Sequence, residues 1–189
     1  MSLARQRLTP QEYLALERAA EHKSEYYNGQ TFAMSGAREA HNLIVVNLSG
    51  ELRSQFKGGP CKAFATDMRV KVDATGLYTY PDLAALCDEA RFEDDTRDTL
   101  LNPSLIVEVL SKSTEAYDRG EKFAHYRRVE SVTDYVLIAQ DRVRVEHFAR
   151  QADGRWLMTE RSDLQEVLEL PNLQLRLPLA EIYDKVELP

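Results

Sequence analysis

The order of elements along the chain predicts a mixed α/β fold, a mixed β-sheet flanked by helices in one layered system. Three observations carry this reading. Helix signals precede and follow a β-hairpin signal in the first sixty residues. Strand-type segments then dominate from Cys61 onward, interrupted by one further helix. No repeat, low-complexity stretch or linker divides the 189 residues, so the chain reads as one domain, 1–189, large enough to bury a core.

Thr9-Pro10-Gln11-Glu12 reads as a helix start. Thr9 caps, Pro10 suits the first helical position, and Glu12 completes a capping box. Glu25-Tyr26-Tyr27-Asn28-Gly29-Gln30-Thr31-Phe32 places Asn-Gly between two β-prone runs, a strong hairpin signal. A second helix is expected from about Arg38 to Phe56, with Leu43, Val46 and Gly50 on its inner face and Gly58-Gly59-Pro60 ending it. Short strands follow at 63–66 and 68–72, then a turn at 73–76 and a strand over Leu77–Leu86 that contains Asp82. Residues 88–103 read as a polar, acidic loop. Ser104–Leu110 is an apolar strand with one charge, Glu108. Residues 115–129 are expected to be helical and 134–139 a buried strand. Over 142–149, Val143, Val145 and His147 alternate with Arg142, Arg144 and Glu146, as on a half-exposed strand. Segments 156–159 and 166–170 are expected as final strands, and 179–186 as a short terminal helix.

Composition narrows the functional classes. The hydrophobic fraction of 43% is ordinary for a soluble domain. No apolar run reaches the length of a membrane span, and the start lacks a signal-peptide pattern, so a cytoplasmic protein is expected. Cys61 and Cys87 show no metal-ligand spacing and are expected as free thiols in a reducing compartment. The net charge of −7 argues against a nucleic-acid partner until its distribution is considered. Residues 82–99 carry seven acids and two bases, and residues 151–189 eight acids and four bases, whereas residues 1–81 carry ten bases and eight acids. The negative charge is therefore concentrated in one loop and the C-terminal part, which leaves room for a basic groove elsewhere.

Two strand acids point to chemistry. Asp82 follows a proline, which is unwelcome in a central strand and marks a strand start or bend. Glu108 has apolar neighbours on both sides, as on a fully covered strand. A buried carboxylate must be paired, protonated or metal-bound. Singly, Asp82 reads as a turn cap and Glu108 as an arginine's partner. Jointly they suit a hard divalent ion, which takes a few carboxylates plus waters and phosphate oxygens. Asp118, Lys122 and Tyr126 follow an i, i+4, i+8 stripe, so Lys122 can point toward the acids; the same spacing also fits a plain surface pair. Glu25 is a candidate third acid and His41 a candidate phosphate or proton contact. His22, His125 and His147 share no ligand spacing, and no Gly-rich phosphate loop or nucleophile elbow is present.

Ile106-Val107-Glu108-Val109-Leu110-Ser111-Lys112-Ser113-Thr114 joined to Asp118-Arg119-Gly120-Glu121-Lys122-Phe123 and Tyr126-Arg127 resembles the Uma2 family of restriction endonucleases. Glu25-Tyr26-Tyr27-Asn28-Gly29-Gln30, His41 and Pro81-Asp82 stand upstream in matching order. The resemblance covers about residues 8–148. It implies the restriction-endonuclease-like core of the PD-(D/E)xK superfamily, with metal-binding acids on adjacent strands. It assigns Asp82 and Glu108 as metal ligands, Glu25 as an accessory acid and His41 as a weaker carry-over; the expected ion is Mg²⁺ or Mn²⁺, with the Val109 carbonyl as a further candidate ligand. Leu110 stands where the superfamily's strand lysine is expected; Lys112 has the same strand parity, and Lys122 is the candidate for a lysine moved to the neighbouring helix. The expected activity is endonucleolytic hydrolysis of DNA by a metal-activated water, with a homodimer supplying two sites. A catalytically silent nucleic-acid-binding or regulatory protein on the same fold is the alternative, and a small-molecule hydrolase using the same acids a third.

Overall fold

The computed structural model describes residues 7–189. Helix α1 (Pro10–Ala19) starts at the expected capping box. The Glu12 amide donates to Thr9 Oγ1 at 3.2 Å and the Thr9 amide donates to Glu12 Oε2 at 2.8 Å. The hairpin β1 (Ser24–Tyr27) and β2 (Gln30–Ala33) turns on Asn28 and Gly29, both at positive φ, as an Asn-Gly turn of mirror-image type requires. Helix α2 (Glu39–Gln55) follows. Four strands come next: β3 (Lys62–Ala65), β4 (Arg69–Val72), β5 (Leu77–Thr79) and β6 (Leu83–Leu86). The acidic loop contributes only a two-residue strand, β7 (Thr99–Leu100), before β8 (Leu105–Leu110).

A continuous helical segment then runs as α3 (Glu115–Tyr117), a π-helical turn (Asp118–Lys122) and α4 (Phe123–Tyr126), three residues shorter than expected. The chain ends with β9 (Asp134–Ala139), β10 (Val145–Arg150), β11 (Trp156–Arg161), the hairpin β12 (Val167–Leu170) and β13 (Leu175–Pro178), and α5 (Leu179–Ile182).

Eleven of the strands form two mixed sheets, and β12 and β13 form a separate antiparallel pair. The larger has the order β11-β10-β9-β8-β6-β3, antiparallel except for the parallel pair β8–β9; the smaller has the order β2-β1-β5-β4-β7, antiparallel except for β4–β7. Strand β8 is covered on both faces. Leu105, Val107 and Val109 pack with α2, α5 and the β12–β13 hairpin, while Ile106 and Leu110 pack on the other face with the smaller sheet and α4. By alternation Glu108 belongs to this second face, where the two sheets and the π-helical turn meet.

Three expectations are corrected. The predicted strand over 77–86 is two strands in two different sheets, because Pro81 has no amide proton for a ladder and the chain crosses between the sheets at Tyr80-Pro81-Asp82. The inner face of α2 is Ile44, Val45, Leu48 and Leu52, whereas Val46 is 66% exposed. The run Leu43-Ile44-Val45-Val46 permits two helical phases, and the one that continues into Leu48, Leu52 and Phe56 buries more apolar surface. Cys61 and Cys87 form a disulfide rather than free thiols. In the β3–β6 register Lys62 faces Leu86, so Cys61 and Cys87 are the next cross-strand neighbours despite their separation in sequence.

Leu48→Ala is expected to cost about 3 kcal/mol in urea denaturation, and Val46→Ala less than about 0.5 kcal/mol; equal losses would reject this helix phase. Thiol titration of denatured, unreduced protein is expected to find neither cysteine free, and both after reduction.

Candidate active site

The crossing at Pro81 builds the site. The β6–β8 ladder ends at the pair Leu83–Val107, so the antiparallel register sets Asp82 opposite Glu108 just beyond it. There the Val109 amide, released from the ladder, donates to Asp82 Oδ2 at 2.7 Å. His41, on the first turn of α2, approaches the same oxygen from the other side, with Nε2 at 3.2 Å. Asp82 is thus fixed in orientation by backbone and imidazole together. Its side chain keeps 18% of its surface accessible and that of His41 14%, against 5% for Glu108, so solvent reaches the centre from the Asp82 side.

Lys122 occupies the middle. Its Nζ lies 3.0 Å from Glu108 Oε1, 3.3 Å from Glu25 Oε1 and 3.8 Å from Asp118 Oδ1. Burial opposes charge on this lysine, but Glu108, Glu25 and Asp118 outweigh it and hold the ammonium well above its usual range. Thr79 donates a hydrogen bond to Glu25, and Tyr126 donates to Glu108 Oε1 at 3.1 Å. Tyr135 donates to the Asp118 carbonyl at 2.9 Å, which anchors the π-helical turn. Burial raises Glu108 well above the usual carboxylate range, with Asp118 and Asp82 adding to the effect and Lys122 opposing it. Asp118 is raised for the same first reason, again against Lys122. Three carboxylates around one lysine, with Asp82 opposite Glu108, leave the centre short of positive charge.

The structure therefore brings together Glu25, His41, Asp82, Glu108, Val109 and Lys122. It does not bring in Lys112, which is exposed on the turn after β8. Leu110 is buried in the core between the sheets. The i, i+4, i+8 stripe is real: Asp118, Lys122 and Tyr126 are all buried, so the surface-pair alternative is wrong. Thr79 carried no sequence signal, since only the pairing of β1 with β5 puts it beside Glu25. Asp118 and Tyr126 were visible in the stripe, but their roles beside the acids were not.

Among the described residues no three His, Cys, Asp or Glu side chains stand arranged as a complete ligand set. A metal would depend on the Asp82–Glu108 pair. That oxygen-only pair suits Mg²⁺ or Mn²⁺, since a hard ion of this kind uses one or two carboxylates and fills its remaining positions with water and phosphate oxygens. The deficit of positive charge favours the same ion.

Fold and acid–lysine centre define the class: a restriction-endonuclease-like mixed α+β protein. A solved structure described as a "putative nuclease belonging to DUF820", from Anabaena variabilis ATCC 29413, matches with a TM-score of 0.78 over 95% of this chain and 99% of that one, at 18% identity, which is a likeness of fold. The chain belongs to the Uma2 family, described as "Putative restriction endonuclease", which matches residues 10–180. Two proteins of Synechocystis sp. (strain ATCC 27184 / PCC 6803 / Kazusa) are similar over most of their length. "Uncharacterized protein sll1609" is 38% identical over 153 residues, covering 81% of this chain and 86% of its own. "Uncharacterized protein slr1290" is 36% identical over 179 residues, covering 94% and 92%.

Removing the central cation alone is expected to be costly. Lys122→Met should lower stability by about 3 kcal/mol, because it strands buried carboxylates. Lys122→Met combined with Glu108→Leu should recover part of that loss in urea denaturation. A double variant as unstable as the sum of its singles would show that the pair is not coupled.

Proposed function

We propose that this protein is an endodeoxyribonuclease dependent on a divalent ion, Mg²⁺ or Mn²⁺. The observation that supports it most is the register that sets Asp82 opposite Glu108, with Lys122 Nζ 3.0 Å from Glu108. Asp82 and Glu108 would hold the ion, with the Val109 carbonyl as a third oxygen on the same strand. Such an ion, when bound, supplies Lewis-acid stabilisation of phosphate charge and activates water. The chain's own groups do the rest. The Val109 amide and His41 keep Asp82 aimed at the open side. Tyr126 keeps Glu108 in place within the apolar layer. Lys122, 3.0 Å from Glu108, would orient an attacking water or stabilise negative charge developing on the phosphate. Glu25 keeps Lys122 near the reacting centre and serves as the accessory acid. Cutting both strands of a duplex needs two such centres, which a homodimer provides.

The second reading, a silent DNA-binding protein on the same fold, draws on Leu110 in the place of a strand lysine and on Lys122 being committed to ion pairs. It predicts binding without turnover in any divalent ion.

The test is nicking of supercoiled plasmid with Mg²⁺, Mn²⁺ or EDTA. Asp82→Asn and Glu108→Gln should each abolish metal-dependent cleavage, and Lys122→Gln should slow it by about a hundredfold or more. Full activity in both acid variants would reject the assignment. Mn²⁺ should also raise the melting temperature of the wild type but not of Asp82→Asn. That shift should be larger at alkaline than at mildly acidic pH, because the raised Glu108 carboxyl must lose its proton to bind an ion.

A further inference from the structure

The hairpin of β1 and β2 presents two different faces. On one, Tyr26 packs with Tyr78 of β5 and with Tyr13 and Leu14 of α1. The other carries Glu25, whose carboxylate lies 3.3 Å from Lys122 Nζ. Residues directly opposite in an antiparallel pair share a face, as do residues i and i+2. Phe32 is opposite Glu25, so it stands on the Glu25 face with its Cβ about 5 Å from that of Glu25. Tyr27 shares this face, and its ring packs edge-on against His125 of α4 at 4.8 Å. The Met34 amide donates to the Lys23 carbonyl at 3.1 Å, which extends the ladder by one pair and brings Met34 onto the same face. From Met34 the chain runs exposed to the start of α2, whose His41 touches Asp82.

These side chains are uncovered. Phe32 is 50% exposed, Tyr27 39% and Met34 36%; among the described residues every other phenylalanine, tyrosine or tryptophan is buried or half-buried. The remaining large exposed apolar side chains, such as Val46 and Leu157, carry no ring. Strand β2 is exposed along its whole length, so core packing does not require a ring at position 32. The three side chains offer on the order of 250 Å², far below the ~800 Å² per partner of a stable dimer. A patch of this size, continuous with the acid–lysine centre, suits one flat ring. In a chain of net charge −7, attraction for phosphates is weak, and stacking supplies affinity that charge does not. Bases inside a duplex hide their faces against their neighbours, so only an unpaired base can lie on an aromatic side chain.

We infer that Phe32, flanked by Tyr27 and Met34, is a stacking platform for a base beside the phosphate that enters the Asp82–Glu108 centre. The substrate is then DNA whose bases are unpaired at the cut, an inference that rests on the nuclease reading. Phe32 positions the strand and takes no part in bond breaking.

The test compares Phe32→Ala and Phe32→Tyr with wild type, and Leu157→Ala on the far edge strand β11 serves as the control. Affinity is measured in EDTA, across a salt series, for a fluorescein-labelled single strand and for the same strand annealed to its complement. The wild type is expected to prefer the single strand. Phe32→Ala should lose about tenfold or more of that affinity, while Phe32→Tyr and the control keep it. The salt slope should not change, because stacking releases no counterions. The melting temperature and its rise with Mn²⁺ should also stay as in wild type. Unchanged single-strand affinity in Phe32→Ala would overturn the inference and leave the nuclease reading intact. Equal wild-type affinity for duplex and single strand would overturn it too, as would a change of oligomeric state in Phe32→Ala on gel filtration, which would assign the patch to a second copy. Phe32-dependent binding of the single strand without cleavage in Mg²⁺ or Mn²⁺ would support the platform and reject the nuclease reading. A wild type that neither binds nor cuts either DNA would overturn both.

Discussion

One buried ammonium holds the two sheets and the helical segment in register. Lys122 draws Glu25 from the smaller sheet, Glu108 from the centre of the larger sheet and Asp118 from its own π-helical turn onto a single nitrogen. Burying three charged carboxylates together without a cation is costly, and so is burying a charged lysine without carboxylates. The interface between the sheets is therefore settled by charge as much as by apolar packing. The π-helical turn fits this role: an extra residue in the turn moves the side chains relative to a regular helix, and Asp118, Lys122 and Tyr126 all end inside.

The second constraint is Pro81. Because it cannot donate to a ladder, the chain leaves one sheet for the other there, and Asp82 stands at the end of a strand rather than within one. This gives the two acids unequal surroundings. Glu108 is enclosed and raised toward protonation by burial, while Asp82 stays partly open and fixed by an amide and an imidazole. A pair of carboxylates in such different environments can bind a cation without both carrying the full cost of desolvation.

Much of this was legible in the sequence, and the misses share a cause. Capping at Thr9, the Asn-Gly turn and the apolar run around Glu108 are local patterns whose meaning does not depend on distant residues. The association of Glu25, His41, Asp82, Glu108 and Lys122 was anticipated chiefly through their arrangement in a familiar family. What failed were features decided by tertiary pairing. The phase of α2 depended on which apolar stripe met the sheet. The split of 77–86 depended on two sheets competing for one segment. The contact of Thr79 with Glu25 and the bond between Cys61 and Cys87 depended on strand register, which no single segment encodes.

That bond has a topological consequence. It closes residues 61–87 into a covalent ring that contains β3 to β6, the turn at Asp73–Gly76, the Pro81 crossing and Asp82 itself. A protease that nicks the exposed turn inside the ring leaves both fragments tethered, with the cut ends still paired through β4 and β5. The same nick after reduction leaves only non-covalent contacts to keep Asp82 across from Glu108. Fragment retention on denaturing gels without reductant would thus report on the ring, while co-elution of the reduced fragments under native conditions would report on the sheet contacts alone.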